Sequence, residues 1–507
     1  MKIIVVGGGT AGWWVAGYLA KFGDNYDITV IESPNIPKIG VGESVLPQTN
    51  LFFQKLGIEE KVWMKECEAV YKLGNMKQGW WRKDDEPFLF SFWWNYSENI
   101  LRRSLYYRDG PQSIWRREGH SIGDYWLDML ARGEKTYEDF VPDMSDSYAI
   151  AKNRCQPFDQ AGEPVLGNWA PYSYHINAIK AGEIVRDNIA LPLGVKNIFT
   201  EVTEVKVDNG NITSIITNDG VEHTADLWVD CTGFQRKLIK ETNPAFKEYP
   251  DNRVNAAWVA PWPYLDKKEE LEPYTQSIGK PYGWQFKVTL TSRIGSGYVF
   301  DDRMLDPEQA KQDFLAMWPD RKPLLEPRLI KWTPSRLEEP WKGNVVAVGL
   351  SCYFIEPLEA NGVYGVEYGV ETLARVLEKG GHKVTPYNAR FYSKAVGKQF
   401  DFMADFIKHH YMHTERDDTE FWRYYQDLAK SCDSEEMLWR RYQSYDNPRS
   451  HLFPDTIWLS MAIMFRKFKN RPNPSLDPVM FEHVKNHIDF CRRHSEAAAK
   501  VCKKVWE

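Results

Sequence analysis

Apolar and polar positions recur along this chain with two periods, and the change from one to the other predicts where strands give way to helices. Residues 2–6, KIIVV, are a short continuous apolar run, as in a buried strand, and 10–22 carry helix-forming residues. A second strand, DITVIES, covers 27–33, so residues 2–33 read as a βαβ unit. Amphipathic helical stretches follow near 47–66 and 122–133. Between 195 and 234 the residues alternate, with Asn-Gly at 209–210 and Asp-Gly at 219–220. That predicts a three-strand meander returning to a buried strand in ADLWVDCTG. A strand pair at 283–300 and a short strand, NVVAVG at 344–349, lead through a loop into a helix from about 361. From 385 onward the pattern is almost wholly helical, with few turn signals before NRPNPSLDP at 470–478.

The chain of 507 residues has room for two or three domains, because single cores rarely grow past about 250–300 residues. Its 64 Lys and Arg against 70 Asp and Glu leave a net charge of −6, and positive charge is concentrated nowhere, which argues against nucleic acid as a partner. Seven cysteines, without metal-ligand spacing and odd in number, fit a reduced, cytoplasmic setting and no metal site. No segment approaches the roughly 18 apolar residues of a membrane helix, so a soluble, uncleaved protein without a membrane partner is expected. Aromatic residues are abundant, with Trp-Trp pairs at 13–14, 80–81 and 93–94. Most should be core, and some could line a pocket for a flat ligand.

The first chemistry lies in Gly7-Gly8-Gly9-Thr10-Ala11-Gly12, which follows a strand and opens a helix. In this context Gly7 permits a tight turn, Gly9 lets a diphosphate approach the backbone, and Gly12 allows close helix–strand packing. Thr10 and Ala11 open the helix whose free N–H groups would face the diphosphate. Glu32, twenty residues after Gly12 at the end of the second strand, suits an adenosine ribose. FAD is favoured over NAD because a long aromatic segment and the meander replace a compact dinucleotide fold. The expected fold class is therefore α/β: a two-lobed FAD-binding domain with a Rossmann-like βαβ unit and a β-meander, plus a mainly helical C-terminal domain. We place the first at 1–384, with an inserted Trp-rich, substrate-facing segment at about 80–170, and a helical cap at 385–507. Val202, at the start of the meander, is the expected backbone partner of adenine.

GGGTAGWW, IGVGES (39–44), ADLWVDCTGF, EPLEANGVY and DFIKHHYMHTERDDTEFWRYY (405–425) together resemble the flavin-dependent tryptophan halogenase family. The resemblance implies a FAD domain with a helical cap. It implies that halide, O2 and reduced flavin, FADH2 from a separate reductase, yield an electrophilic halogen aimed at a small aromatic substrate. The absence of a second nucleotide fingerprint agrees with a separate reductase. The family's lysine falls on Lys72, in AVYKLGN, where it would hydrogen-bond a hypohalous acid or be halogenated as the free amine. An ordinary strand lysine is the alternative. The family's glutamate falls on Glu359, to orient the halogenating species or take the ring proton; otherwise it is an acid at a helix start, complementing the dipole. The halide site falls on the N–H groups of Asn361 and Gly362, with Leu350 and Val363 near the flavin, and Gly42, Glu43 and Ser44 alongside its ring. Glu359 should face Lys72 across the reaction site, with the halide on the other side of the turn.

Departures matter too. Where the family has Trp-x-Trp-x-Ile-Pro, this chain has Trp284-Gln285-Phe286-Lys287-Val288-Thr289, so Trp284 is kept, Phe286 replaces a tryptophan and Thr289 adds a hydroxyl near the substrate channel. This leaves a flavin-dependent aromatic monooxygenase, and a non-catalytic flavin-binding relative, as alternatives. Ala360 and Asn361 stand where the family has serine and threonine, which suggests a preference for bromide or iodide over chloride. The substrate is expected to be an electron-rich indole, pyrrole or phenol; a homo-oligomer is compatible with the sequence.

Overall fold

Strand Lys2–Val6 is buried at every position after Lys2, and strand Asp27–Glu32 at every position after Asp27. Such strands need cover on both faces, which a parallel sheet with helical crossovers supplies. The computed structural model describes residues 1–23, 26–35, 40–91, 122–145, 147–165, 172–443, 455–467, 476 and 478–507. The Trp-Trp pair at 93–94, Ile39, much of the expected substrate-facing insert and most of the turn tract at 470–478 lie outside the described residues.

Two compact units emerge. The first joins Met1–Ala69, His175–Pro263 and Ser292–Lys408; the second joins Val70–Tyr174, Tyr264–Thr291 and His409–Glu507. Both are discontinuous, whereas the boundary read from the sequence after 384 is linear. Contacts between distant segments leave no trace in local periodicity.

In the first unit a six-stranded sheet runs Trp341–Lys342, Val345–Ala347, Leu227–Asp230, Lys2–Val6, Asp27–Glu32, Lys196–Phe199. All neighbours are parallel except the outermost pair, Trp341–Lys342 with Val345–Ala347. Ile4 pairs with Thr29 on one side and Trp228 on the other, so the first strand is central. Helix Thr10–Phe22 buries Trp13, Trp14, Val15 and Leu19, and packs on helices Ala178–Val185 and Asn361–Lys379. The expected meander forms from Val202–Asp208, Asn211–Thr217 and Glu222–His223. Its leading segment, Lys196–Phe199, instead extends the parallel sheet beside Asp27–Glu32. The short alternating run there suits either sheet, and tertiary pairing decides. Strand Ala256–Trp262 pairs antiparallel with both Ile294–Phe300 and Arg328–Lys331.

In the second unit, strand Thr275–Lys280 lies between Gly283–Thr289 and Gly74–Gln78, and the latter pairs with Phe88–Ser91. Helices Ile122–Ala131, Glu420–Ser431, Asp455–Met464 and Pro478–Val501 supply most of the rest. The chain does not end as helix: Cys502–Lys504 is a strand paired antiparallel with Cys155–Asp159. All seven cysteines are free thiols. Among the described residues no helix is long and apolar enough to cross a membrane, and no cluster of three His, Cys, Asp or Glu is placed to hold a metal.

Candidate active site

The glycine run is shaped by what lies against it. Gly7 has φ 111°, and a side chain there would fall 2.3 Å from the Cys231 carbonyl oxygen; a Cβ at Gly12 would fall 1.8 Å from the oxygen of Gly7. Close approach to the sheet therefore excludes anything larger. Gly9, the extended residue before helix Thr10–Phe22, has no side-chain cap and nothing within 4 Å of where a Cβ would be. Open space thus faces the first-turn N–H groups, which suits a diphosphate. Thr10 contributes its backbone only, because its hydroxyl is donated to the Ala178 carbonyl at 2.6 Å.

Gly8 escaped the sequence reading. An added Cβ would sit 2.2 Å from Cδ of Glu32, so the carboxyl of this buried acid rests directly on the glycine loop. The GGG triplet carried the signal. Beside it, Thr200 N–H donates to the Glu32 carbonyl at 3.1 Å and Ser33 Oγ to Glu201 Oε1 at 2.7 Å. These bonds bring Val202, paired with Thr217, to the same end of the sheet as Glu32. The glycine loop, the buried acid and the strand end fit the diphosphate, ribose and adenine of FAD.

A second segment carries Gly42, at φ 132°, into the strand Glu43–Ser44, which pairs with Ile176 and His175. Burial pushes the Glu43 carboxyl up to about 7. Behind this segment, Arg293 donates Nε to the Val41 carbonyl at 3.3 Å and Nη1 to Glu68 at 2.7 Å. Burial works to raise the Glu68 carboxyl, but hydrogen bonds from Asn177, Lys180 and Ser292 outweigh it and hold it at about 2. Strand Glu43–Ser44 packs against the turn Leu358–Ala360.

That turn differs from the expected helix start. Glu359 (φ 60°, ψ 25°) and Ala360 (φ 58°, ψ 28°) are both left-handed, and the helix proper opens at Asn361. Each such non-glycine residue costs about 1–3 kcal/mol and persists only where its surroundings impose it. Here Asn361 imposes it: Nδ2 donates to the Glu356 carbonyl at 2.6 Å and the Leu358 carbonyl at 2.7 Å, while Tyr353 Oη donates to the Asn361 carbonyl. Local sequence could not reveal this, because the two carbonyls are brought to the Asn361 side chain only by the left-handed turn. The handedness change from Ala360 to Asn361 is the geometry of an anion-binding nest. Asn361 and Gly362 occupy the first two helical positions, whose N–H groups have no acceptor within the helix, and the space beside Gly362 is open. Glu359 itself is 7% exposed.

The returning strand Val345–Ala347 ends in the short helical turn Gly349–Ser351. A Cβ on Gly349 would lie 3.1 Å from Ala11 and 3.3 Å from Val366, so the dinucleotide helix, Leu350 and the helix bearing Val363 converge there. The first unit therefore gathers Gly7, Gly9, Thr10, Ala11, Gly12, Glu32, Gly42, Glu43, Ser44, Val202, Leu350, Val363, Glu359, Asn361 and Gly362.

Lys72, Trp284, Phe286 and Thr289 belong to the second unit. Lys72, the last residue of strand Val70–Lys72, is wholly buried, unlike an ordinary strand lysine. Next to it, Tyr71 packs against Phe158 and Tyr174, with ring centroids 5.2 and 6.0 Å apart. Trp284 and Phe286 share one face of their strand, with centroids 6.0 Å apart. Thr289 lies on the other face, and its hydroxyl is donated to the Glu272 carbonyl at 2.7 Å. A second buried cation was missed: Lys77 Nζ stands 5.2 Å from the Trp80 ring and 5.5 Å from Phe90. It shares a strand face with buried Asn75, and polar residues on that face of GNMKQ give no local sign of burial.

An α/β sheet with a glycine loop opening a helix, a returning late strand and a left-handed turn before the next helix defines the class as a dinucleotide-binding fold of the oxidoreductase kind. The tryptophan halogenase family model matches residues 2–479, and the chain belongs to that family. It is 33% identical over 452 residues to the tryptophan 7-halogenase RebH of Lentzea aerocolonigenes, covering 86% of this chain and 81% of that protein. It is 30% identical over 508 residues to the tryptophan 6-halogenase SttH of Streptomyces toxytricini, covering 95% and 93%. The crystal structure of SttH superposes with a TM-score of 0.87 over 100% of this chain and 98% of that one, at 27% identity. The chain is accordingly an FADH2-dependent halogenase that transfers halogen to an aromatic small molecule, and the comparisons favour neither the monooxygenase nor the non-catalytic alternative.

Proposed function

We propose that Lys72 and Glu359 carry out the last step of halogenation, with the halide held on the N–H groups of Asn361 and Gly362. The observation that supports this best is the left-handed Glu359–Ala360 turn. It sets a buried acid directly ahead of the two amides that open the helix. A halide has no shape to recognise, so converging amide dipoles are a suitable receptor.

Gly7, Gly9, Thr10, Ala11, Gly12, Glu32 and Val202 would hold the adenosine diphosphate part of FAD, and Gly42, Glu43, Ser44, Leu350 and Val363 its ring. Bound as FADH2, the cofactor supplies the two electrons with which O2 is reduced while halide is oxidised. Halide, O2, FADH2, one proton and the arene balance against halogenated arene, FAD and two waters. Lys72 orients the hypohalous species through its N–H donors. Glu359 takes the proton that the ring loses as the carbon–halogen bond forms. A separate reductase supplies the reduced flavin, and the substrate is an electron-rich indole, pyrrole or phenol.

Lys72→Ala and Glu359→Gln test the assignment, assayed with a flavin reductase, each halide and a panel of such arenes. Halogenated product should fall by about two to four orders of magnitude, the range of general acid–base contributions, while FAD still binds. Undiminished halogenation by either variant overturns the role given to that residue. Mass spectra showing added oxygen without halide dependence overturn the reaction.

A further inference from the structure

Glu367 takes no part in the chemistry above, yet it is a buried carboxyl, 4% exposed, on the helix that opens with Asn361 and Gly362. Thr49 Oγ1 donates to its Oε1, and Oε2 has no hydrogen-bond partner among the described residues. Thr49 is the second residue of helix Gln48–Leu56, which begins four residues after strand Glu43–Ser44. The strap 43–49 thus touches the halide turn at one end, where Glu43–Ser44 packs on Leu358–Ala360, and the halide helix at the other, through Thr49.

We propose that Glu367 is a positioning residue: through Thr49 it locks the strap bearing Glu43 and Ser44 onto the helix that opens at the anion nest, keeping flavin site and halide site assembled together. This rests on the reading of that strap and nest as the flavin and halide sites.

The lock is sensitive to protonation. Burial pushes the Glu367 carboxyl up to about 8; Glu371 on the same helix adds to this, while the Thr49 hydrogen bond and Lys55 oppose it. The charged and titratable groups around it are Glu371 and Tyr364 on its own helix and Lys55 on the facing one, with Lys55 paired to Glu371 at 2.6 Å. Tyr18, on helix Thr10–Phe22, is coupled to Glu371, and Glu43 titrates at the strap's other end. Ionisation puts an anion into a dry contact. It also places a negative charge about 9 Å along the helix axis from the nest, at 1.5 Å per residue, which opposes halide.

The test compares wild type, Glu367→Gln and Thr49→Val between pH 6 and 9.5, measuring FAD affinity, halide KM and thermal unfolding. From pH 7 to 9 wild type should lose about tenfold in FAD affinity and its halide KM should rise about tenfold, one unit beyond the Glu367 titration being a factor of ten. Glu367→Gln, neutral throughout and still able to accept from Thr49, should match wild type at pH 7 and show neither loss. Thr49→Val should be weakened severalfold already at pH 7. An identical alkaline loss in wild type and Glu367→Gln overturns the proposal, as does a flat wild-type profile. Should wild type bind no FAD at any pH, the flavin reading fails instead. The unfolding profiles, which need no flavin, then decide on Glu367: a pH slope in wild type that is absent from Glu367→Gln and changed in Thr49→Val upholds the Thr49 lock, and a Thr49→Val profile identical to wild type overturns it.

Discussion

Asn361 holds the carbonyl oxygen of Glu356 at 2.6 Å, and that one bond, with its companion to Leu358, keeps two left-handed residues in place ahead of the halide helix. The side chain therefore points into the turn, so that under the proposed halide site only its backbone amide is left to meet an anion.

Asn361→Ala removes both bonds from buried carbonyls. Stability should drop by about 1–3 kcal/mol, and halide KM should rise more than the FAD dissociation constant, because the nest relaxes before the glycine loop does. Urea unfolding and halide titrations measure the two effects; an unchanged halide KM speaks against the brace.

Gly8→Ala puts a methyl group where the Glu32 carboxyl lies, 2.2 Å from Cδ. Either the loop or the acid must move. We expect FAD affinity to fall by at least tenfold while the helical content read by circular dichroism is kept. Wild-type affinity in this variant would show that Glu32 is free to swing aside without loss.

Glu68 has a pH signature of opposite sense to that of Glu367, set by the hydrogen bonds from Asn177, Lys180 and Ser292. Glu68 is held at about 2 against an ordinary 4.5, so its contribution is present above pH 4.5 and is lost as pH falls towards 2. Between those limits wild type should lose stability more steeply than Glu68→Gln, measured by thermal unfolding in dilute buffer. At pH 7 the variant should also bind FAD more weakly, because Val41 loses the Arg293 anchor.

Bromide and iodide should compete successfully with chloride. Larger halides are easier to desolvate and to oxidise, and the nest offers amides and open space beside Gly362 rather than a tight cavity. Product ratios from mixed-halide incubations check this; chloride preferred over bromide overturns it.

Thr289→Val removes a hydroxyl that donates to the Glu272 carbonyl. A cost of about 1 kcal/mol in stability is expected, with the halogenated products unchanged by mass spectrometry.

Much of this was written into the local sequence. The apolar run of Lys2–Val6, the GGGTAG turn and the acid at 32 make a dinucleotide unit, because strand burial, glycine-limited approach and a helix N-terminus act within a few residues of one another. The meander was legible from its Asn-Gly and Asp-Gly turns, and the family from motifs spread between 7 and 425. The tertiary structure alone decided the rest. Nothing local shows that the Asn361 side chain donates to the carbonyls of Glu356 and Leu358. Nor does it show that Glu367 is met by Thr49, 318 positions away in the chain. Lys196–Phe199 joins the parallel sheet, and Cys502–Lys504 becomes a strand, only because distant partners leave them edges to pair with. Short-range periodicity records which face of an element is apolar; it cannot record what covers that face, and the cover sets burial, protonation and backbone strain.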